Sequence, residues 1–435
     1  MKAEYFDALE TRDPAEREAA LLAALPGQLA HAQAHSPAQA RRLAGIDPQA
    51  ITSRAALATL PVLRKHELLA LQQAQRAEQP DGDPFAGFAA AGWNGLRLPR
   101  PAKRVFQSPG PIYEPQGQGS DSWRLARALH AAGFRAGDLV HNSFSYHLTP
   151  AGAMMEEGAL ALGCAVFPGG VGNTDLQLQA MVELRPHGYC GTPSFLKIAL
   201  EKAAEQRLLL ASLRKGLVSG EAFPPSLRDW LRERGMEAYQ CYATADLGLI
   251  AYETEAREGL VLDEQVIVEI VRPGTGDPVA DGEVGEVVVT TFDPDYPLVR
   301  FGTGDLSAVM PGHCPTGRTQ TRIRGWMGRA DQTTKVRGMF VHPSQVAEVL
   351  KRHPDVQRAR LVVEGEMAND RMTLHAELSA GHAASAIGVV DQPLLGDQLA
   401  ASVRHITKLR AEVRLVAAGS LPNDGVVIED KRSYR

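Results

Sequence analysis

Asp305, in the segment RFGTGDL, is the residue of this sequence whose chemistry is simplest to state. It follows a strand-like segment and a glycine pair, so its carboxylate can project from a tight loop. A carboxylate in such a place can accept hydrogen bonds from both hydroxyls of a ribose. The alternative is an aspartate that only stabilises its own turn, which TGDL taken alone would favour.

The elements before Asp305 indicate a fold with one shared ligand crevice. Short apolar segments predict strands and amphipathic segments between them predict helices; the strand segments are DLVHN, CAVFP, HGYCGT, GLVSG and AYQCY. The helix predicted between GLVSG and AYQCY has Pro224 at its start and Gly235 past its end, which are the residues expected at those two positions. This alternation predicts a mostly parallel sheet covered on both faces, in which ligands bind beyond the carboxyl ends of the strands.

Other patterns flank this alternation. Residues 1–80 are rich in Ala, Leu, Arg and Gln at helical spacing and predict a helical lead-in. After residue 260 the segments GLVLDEQVIVEIV and EVVVTTF predict a β-rich part with antiparallel strands. We predict an α/β fold with a large N-terminal domain, residues 1–328, and a small α+β C-terminal domain, residues 329–435.

Composition and charge narrow the class of partner. The chain of 435 residues is 44% hydrophobic and 22% charged, with a formal net charge of -5. A protein that binds nucleic acid or anionic lipid would normally carry a basic surplus, so we expect neither partner. A small-molecule ligand is the better expectation.

Cysteine usage and the apolar segments indicate the compartment. The four cysteines form no CxxC pair, which favours reduced thiols over a disulfide framework. The charged start MKAEYFDALETRD lacks an apolar signal region, and glycine and proline interrupt the longest apolar segment before it could span a membrane. We therefore expect a cytoplasmic protein.

Five segments, in order, resemble one family. They are DSWRLARALHAAGFRAGDLVHNSFSYHLTPAG, GTPSFL, YATADLG, VRFGTGDL and GRADQTTKVRGMFVHPSQV. Together they resemble the phenylacetate–CoA ligase branch of the AMP-forming adenylating enzymes. One such segment would be weak support, but five at family-like spacing over nearly the whole chain are specific for the fold.

The resemblance implies an AMP-forming ligase for an aromatic, phenylacetate-like carboxylic acid. ATP and the acid would form an acyl-adenylate and pyrophosphate; the small, mobile domain would then rotate, and coenzyme A would displace AMP. The implied cofactors are ATP/AMP, Mg2+ and coenzyme A, and a homodimer is the family-level expectation. Two alternatives stay open: a homologue that binds AMP or acyl-adenylate without ATP-dependent turnover, and an enzyme acting on a preformed adenylate or thioester.

By the same resemblance, one set of residues would recognise adenine and ribose: Gly220, Glu221, Tyr242, Ala243, Thr244, Asp305 and Arg329. Asp331 would be the hinge, with a solvated linker pair as the alternative. Asp246 would contact Mg2+ where the family usually has a glutamate, and the alternative is the N-cap of a following helix. Tyr146 and His147 would line the acyl pocket, although such aromatics more often serve core packing.

The segment QSPGPIYEPQGQG departs from the family's phosphate loop. Aligned without a gap, it keeps Ser108 and Gly110 but has Glu114 where the family has a lysine. Backbone N–H groups, hydroxyls and a cation hold phosphate in such loops, and Pro109 and Pro111 lack the N–H. We expect that this loop does not hold a triphosphate in the usual way, above all if Glu114 points inward.

A second departure lies near the C terminus. The family has a glycine followed by a lysine that steadies the carboxylate and the α-phosphate, whereas this chain has Val426 and Val427 at that position. Lys431 could replace that catalytic lysine, and a basic tail is the alternative. Of the cysteines that bind zinc in some relatives only Cys314 remains, so we expect no zinc site.

Overall fold

The computed structural model describes residues 4–96, 98–330, 332, 334–337, 339–365, 370–378, 392–417, 419–422 and 426–432. The chain forms two compact units, Met1–Met327 and Gly328–Arg435. Each unit combines helices with sheets, which confirms the α/β class predicted from the sequence. Within the described part of the chain, no helix has both the length and the apolar character needed to cross a membrane.

Most of the helices begin where the sequence offers a capping group or a proline. Asp13 accepts hydrogen bonds from the backbone N–H groups of Ala15 and Glu16, and Thr192 accepts one from Phe195. In chain order the α-helices of the described residues are α1 (Pro14–His35), α2 (Pro37–Arg42), α3 (Arg54–Ala58), α4 (Lys65–Glu78), α5 (Leu125–Ala131), α6 (Ala151–Ala161), α7 (Thr174–Leu184), α8 (Pro193–Glu205), α9 (Pro225–Arg232), α10 (Pro343–Arg352) and α11 (Gln392–Thr407). The first four confirm the helical lead-in.

The strands are short, and many consist of apolar and small residues that the sheets bury. In chain order those of the described residues are β1 (Leu63–Arg64), β2 (Ala91–Gly92), β3 (Arg100–Pro101), β4 (Arg104–Ser108), β5 (Ile112–Gln116), β6 (Leu139–Asn142), β7 (Ala165–Pro168), β8 (Gly188–Gly191), β9 (Lys215–Val218), β10 (Glu237–Thr244), β11 (Gly248–Tyr252), β12 (Leu260–Leu262), β13 (Val266–Val271), β14 (Gly285–Thr291), β15 (Phe301–Ser307), β16 (Val309–Met310), β17 (Arg322–Ile323), β18 (Thr334–Val336), β19 (Met339–Val341), β20 (Val356–Glu364), β21 (Arg371–Leu378), β22 (Glu412–Val416) and β23 (Ile428–Asp430).

The largest sheet has nine strands, in the order β16-β17-β12-β11-β10-β9-β8-β6-β7. From β7 to β10 the neighbouring strands run parallel, and these are the strands predicted from the alternating segments. From β10 to β16 the neighbours run antiparallel, because β10 turns directly back into β11. The carboxyl ends of the parallel strands therefore share one edge, at which open sheets of this kind bind ligands.

A second sheet of the large unit has the order β1-β15-β14-β13. Strands β13 and β14 pair antiparallel, which confirms the prediction for the segment after residue 260. Strand β1 pairs parallel with β15, and Arg64 lies opposite Gly302. Lys65, the next residue, thus begins helix α4 beside the strand that carries Asp305.

The small unit is built on the sheet β22-β21-β20-β23. Helices α10 and α11 contribute Val349 and Leu399 to a buried core, which they share with Leu361 of β20 and Leu374 of β21. Strands β18 and β19 form a separate hairpin. This is the α+β pattern predicted from the last hundred residues.

Buried charges tie the first residues of the chain to the large unit. The Glu10 carboxylate accepts hydrogen bonds from Arg318 at 2.9 Å, from Arg127 at 3.2 Å and from the Tyr252 hydroxyl at 3.1 Å. Glu10 is 1% exposed, and a carboxylate at such depth is tolerated only when its charge is compensated. Glu10 therefore anchors the largely exposed segment ahead of α1 to the interior of the large unit.

Candidate active site

Asp305 is held in a fixed orientation by side chains of the large unit. The Tyr242 hydroxyl donates a hydrogen bond to its Oδ2 at 2.8 Å, and the indole N–H of Trp326 donates to its Oδ1 at 3.2 Å. Thr303 Oγ1 accepts from the Asp305 backbone N–H at 3.1 Å. An oriented carboxylate of this kind is a suitable acceptor for ribose hydroxyls, because each of its oxygens can accept more than one hydrogen bond.

The structure corrects the expected local conformation of Asp305. It lies inside strand β15, whereas the sequence indicated a tight loop after a strand. Gly302 is a close-packing position, because a Cβ there would lie 2.7 Å from Glu286 Oε1 and 3.1 Å from Val62 Cγ1. Gly304 has a φ of +76°, which glycine adopts without strain. The two glycines therefore allow the strand to continue through a closely packed position, and they do not end it.

The other residues expected to bind the nucleoside lie at the ends of two adjacent strands. Tyr242, Ala243 and Thr244 are half-buried at the end of β10. Gly220 and Glu221 follow β9, its parallel neighbour, and Gly220 has a φ of +79°. The fold thus brings these five residues to the edge at which ligands bind in parallel sheets.

Asp246 forms an ion pair that the sequence did not indicate. Lys65 Nζ lies 2.6 Å from Asp246 Oδ2, and the Asp246 side chain is fully buried. The alternative that Asp246 caps a following helix is wrong, because β10 turns into strand β11 at this point. Thr244 Oγ1 accepts from the Leu247 backbone N–H and stabilises that turn.

The segment expected to resemble a phosphate loop is a β-hairpin. Strands β4 and β5 pair antiparallel up to Ser108 and Ile112, which leaves Pro109, Gly110 and Pro111 in the turn. Of these three residues only Gly110 has a backbone N–H. The Ser108 hydroxyl donates to Glu114 Oε1 at 2.6 Å, so it is already used within the hairpin. Converging donors for a phosphate are therefore scarce here.

Glu114 points inward and meets Asp246. It is 2% exposed, and its carboxyl group lies next to that of Asp246. Burial first, and then the negative charge of Asp246, raises the pKa of Glu114 well above its ordinary value, while Lys65 and Ser108 act in the opposite direction. Burial and the same two carboxylates also raise the pKa of Tyr296. This is the inward orientation in which Glu114 most strongly affects phosphate binding.

The two residues expected in the acyl pocket differ in exposure. Tyr146 is half-buried near the end of β6, where its hydroxyl accepts a hydrogen bond of 2.7 Å from Asn142 Nδ2. Burial, followed by the nearby Glu156, raises the pKa of Tyr146. His147 is exposed, and its backbone, not its ring, bonds to the Ser145 hydroxyl. Only Tyr146 has the enclosed position that a pocket wall requires, and both lining roles stay predictions.

In the small unit, Lys431 and its neighbour Arg432 have different surroundings. Lys431 Nζ lies 3.7 Å from Glu429 Oε1, and its side chain is 48% exposed. Arg432 pairs with Asp370 at 3.0 Å and with Asp430 at 2.5 Å, and it is nearly enclosed. A half-exposed ion pair of that length holds its lysine weakly, so Lys431 can reach elsewhere more readily than Arg432.

Two predictions about residues of the small unit are not tested by the structure. Arg329 is half-buried at the start of the unit, and its contact with ribose stays a prediction. The expected hinge, Asp331, lies outside the described residues. Gln332, next to it, accepts a hydrogen bond of 2.7 Å from the Val427 backbone N–H. The segment after the hinge position is thus joined to the strand that leads to Lys431.

Sequence reasoning missed Lys65, Thr303 and Trp326. Lys65 is 181 residues from Asp246 in the chain, and neither periodicity nor a motif links them. Thr303 stands inside RFGTGDL, so its proximity to Asp305 was a usable signal. Among the described residues no group of three or more His, Cys, Asp or Glu side chains could hold a metal ion.

The parallel-sheet edge that carries Tyr242, the Asp305 carboxylate that Tyr242 orients, and the separate α+β unit are the features expected of an AMP-binding enzyme. A family model described as AMP-binding enzyme matches residues 150–291, and one described as AMP-binding enzyme C-terminal domain matches residues 338–432. The chain is 30% identical over 352 residues to the phenylacetate-coenzyme A ligase of Aromatoleum evansii, covering 77% of this chain and 75% of that one. It is 28% identical over 436 residues to that of Pseudomonas putida, covering 96% and 94%. The chain therefore belongs to the phenylacetate–coenzyme A ligase family.

A solved structure gives the same result. A 2-hydroxyisobutyryl-CoA ligase in complex with 2-HIB-AMP and CoA matches with a TM-score of 0.79 at 25% identity, covering 98% of this chain and 92% of that chain. The resemblance found in the sequence is confirmed, as is the class it implied, an AMP-forming carboxylate–CoA ligase. The alternative of a homologue without turnover is not favoured.

Proposed function

We propose that the chain activates an aromatic, phenylacetate-like carboxylic acid with ATP and Mg2+ and transfers the acyl group to coenzyme A. The observation that carries the proposal is the fixed carboxylate of Asp305. Tyr242 and Trp326 orient it from two sides, and a carboxylate oriented in this way is a suitable acceptor for ribose hydroxyls. The relatives named phenylacetate-coenzyme A ligase support an aromatic acid as the substrate.

Each site residue takes a role that its chemistry allows. Asp305 binds the ribose together with Arg329, and Gly220 lets the adenine approach the backbone closely. Asp246 contacts Mg2+ as a hard oxygen ligand. Lys431 supplies the cation of the adenylation step in place of the family's lysine.

The remaining roles concern the hinge and the acid. Asp331 is the hinge between the two half-reactions. Tyr146 and His147 line the acyl pocket, and the enclosed position of Tyr146 near the end of β6 supports its part of this proposal. The reduced cysteines favour a cytoplasmic location, and light scattering of the purified protein would test the homodimer.

The test is pyrophosphate release with a panel of carboxylic acids. With ATP, Mg2+ and coenzyme A, we expect one or more aryl-acetic or benzoic acids to give equal amounts of pyrophosphate, AMP and acyl-CoA. Aliphatic acids of similar length serve as the comparison group. Tight AMP binding without pyrophosphate release for any acid would contradict the proposal and indicate a protein that only binds nucleotide.

A further inference from the structure

The carboxyl groups of Glu114 and Asp246 meet inside the large unit with one oxygen of each already held. Glu114 Oε1 accepts from the Ser108 hydroxyl at 2.6 Å, and Asp246 Oδ2 accepts from Lys65 Nζ at 2.6 Å. The other two oxygens, Glu114 Oε2 and Asp246 Oδ1, are buried and have no hydrogen-bond donor. Two neighbouring carboxyl groups, one on strand β5 and one in the turn after β10, therefore each keep one buried oxygen without a donor.

Such an arrangement calls for a positive charge between the oxygens. Buried polar atoms are almost always paired, and a buried carboxylate without a partner is unfavourable. When both carboxyl groups are ionised, they carry two negative charges against the one positive charge of Lys65, so the group lacks one positive charge. In this state the site would repel a polyphosphate.

A divalent cation reverses that balance. Its two positive charges would change the sum from one negative to one positive, and the site would then attract phosphate oxygens. Mg2+ is commonly bound through one or two carboxylates, with water and the phosphates of the substrate completing its coordination. Glu114 and Asp246 provide two carboxylates. Lys65 can keep its position, because it bonds to Asp246 Oδ2 and the cation would bind Asp246 Oδ1.

We propose that Glu114 Oε2 and Asp246 Oδ1 together bind one divalent cation, which supplies the positive charge that a lysine supplies in the phosphate loop of the family. Because this cation would face the phosphates of ATP, the proposal rests on the proposed function. It also accounts for the hairpin: the turn Pro109–Pro111 offers few donors, so the attraction for phosphate comes from the metal. Glu114 is then a metal ligand, and its place in the loop is no loss of function.

The experiment is a Mn2+ titration of the purified protein. Electron paramagnetic resonance measures the concentration of free Mn2+ at each step. Nucleotide-free protein is expected to bind one Mn2+ per chain, and more tightly when a nonhydrolysable ATP analogue is present. Glu114→Gln is expected to weaken Mn2+ binding by about tenfold or more, since losing a ligand costs at least as much as losing a supporting residue. Asp246→Asn is expected to give a similar loss.

Two control variants separate the site from general charge effects. Glu233→Gln removes the same charge from an exposed residue after α9 and is expected to leave Mn2+ binding unchanged. Ser108→Ala removes the hydroxyl that holds Glu114 Oε1 but keeps both carboxylates, so it is expected to change the affinity by less than about threefold. Thermal melts identify the variants that fold. A result from either Glu114→Gln or Asp246→Asn is sufficient for the test, provided that this variant folds.

The outcomes are distinct. No bound Mn2+ in the nucleotide-free protein, or equal binding by Glu114→Gln and the unaltered chain, would overturn the inference even if pyrophosphate is released. Mn2+ binding that depends on both carboxylates would support it even if no acid in the panel is activated. The inference and the proposed function can thus fail separately.

Discussion

Tyr242 and Asp305 are joined by a hydrogen bond of 2.8 Å, although they belong to different sheets. Tyr242 lies near the end of strand β10 of the nine-stranded sheet, and Asp305 lies in β15 of the four-stranded sheet. The hydroxyl therefore fixes the orientation of a carboxylate that a neighbouring sheet provides. On the proposed role of Asp305, affinity for the ribose would depend on how these two sheets pack.

We expect Tyr242→Phe to weaken AMP binding by about tenfold, since a hydrogen bond to a charged group contributes about 1.5–3 kcal/mol and Trp326 still holds the other oxygen. Titration calorimetry with AMP measures the effect. Tyr239→Phe, on the same strand but stacked under Arg257, is the matched control and should bind as the unaltered protein does. Equal affinities for the Tyr242 variant and this control would show that Asp305 does not depend on the hydroxyl.

Lys65→Met should destabilise the protein, because it leaves Asp246 and Glu114 buried without their cation. We expect a loss of about 2–3 kcal/mol in the free energy of unfolding, below the ~3–5 of a fully enclosed pair because Lys65 is partly exposed. Urea unfolding measures it. Lys197→Met, which breaks the exposed pair with Glu201, should cost less than about 1 kcal/mol. Similar losses in both variants would contradict the importance of the buried pair.

Lys431→Ala tests the replacement of the family's lysine. We expect pyrophosphate formation to fall by about a hundredfold, as when a group that stabilises developing charge is removed. Hydroxylamine in place of coenzyme A confines the assay to the adenylation step. Lys351→Ala, an exposed lysine of α10, is the control. An unchanged rate would instead support the basic-tail explanation.

The cysteines should be unreactive in the folded protein. All four are free and buried, and burial raises the pKa of Cys241 to about 12, so almost none of it is thiolate at pH 8. Burial also raises the pKa of Cys164 and Cys190. A thiol assay with dithiobis(nitrobenzoate) should detect no rapidly reacting thiol at pH 8. After unfolding in guanidinium, it should detect four thiols. One fast thiol in the native protein would contradict this burial.

The sequence was sufficient for the parallel sheet because its strands and helices are local patterns. Segments such as DLVHN and HGYCGT are short, apolar and bounded by turns, so their length and their flanking turn residues distinguish them from helices. Asp305 was placed wrongly for the opposite reason. Two glycines indicate a turn locally, but here Gly302 serves contact with Glu286 and Val62, which only the folded chain brings near.

The electrostatic part of the site could not be predicted in the same way. The position of Glu114 in the former phosphate loop was visible in the sequence, but its inward direction follows from the pairing of β4 with β5. Its meeting with Asp246 and Lys65 joins segments that are far apart in the chain. Buried ionic contacts leave no periodic signal, so they appear only when the tertiary structure is known.

Glu10 has a practical consequence for handling the protein. Trimming the chain at its N terminus as far as α1 would leave the guanidinium groups of Arg318 and Arg127 in the interior without that counter-charge. Such a shortened protein should express as aggregates or melt at a much lower temperature, even though every residue near Asp305 is retained. Proteolytic removal of an affinity tag should therefore leave the segment that carries Glu10 intact.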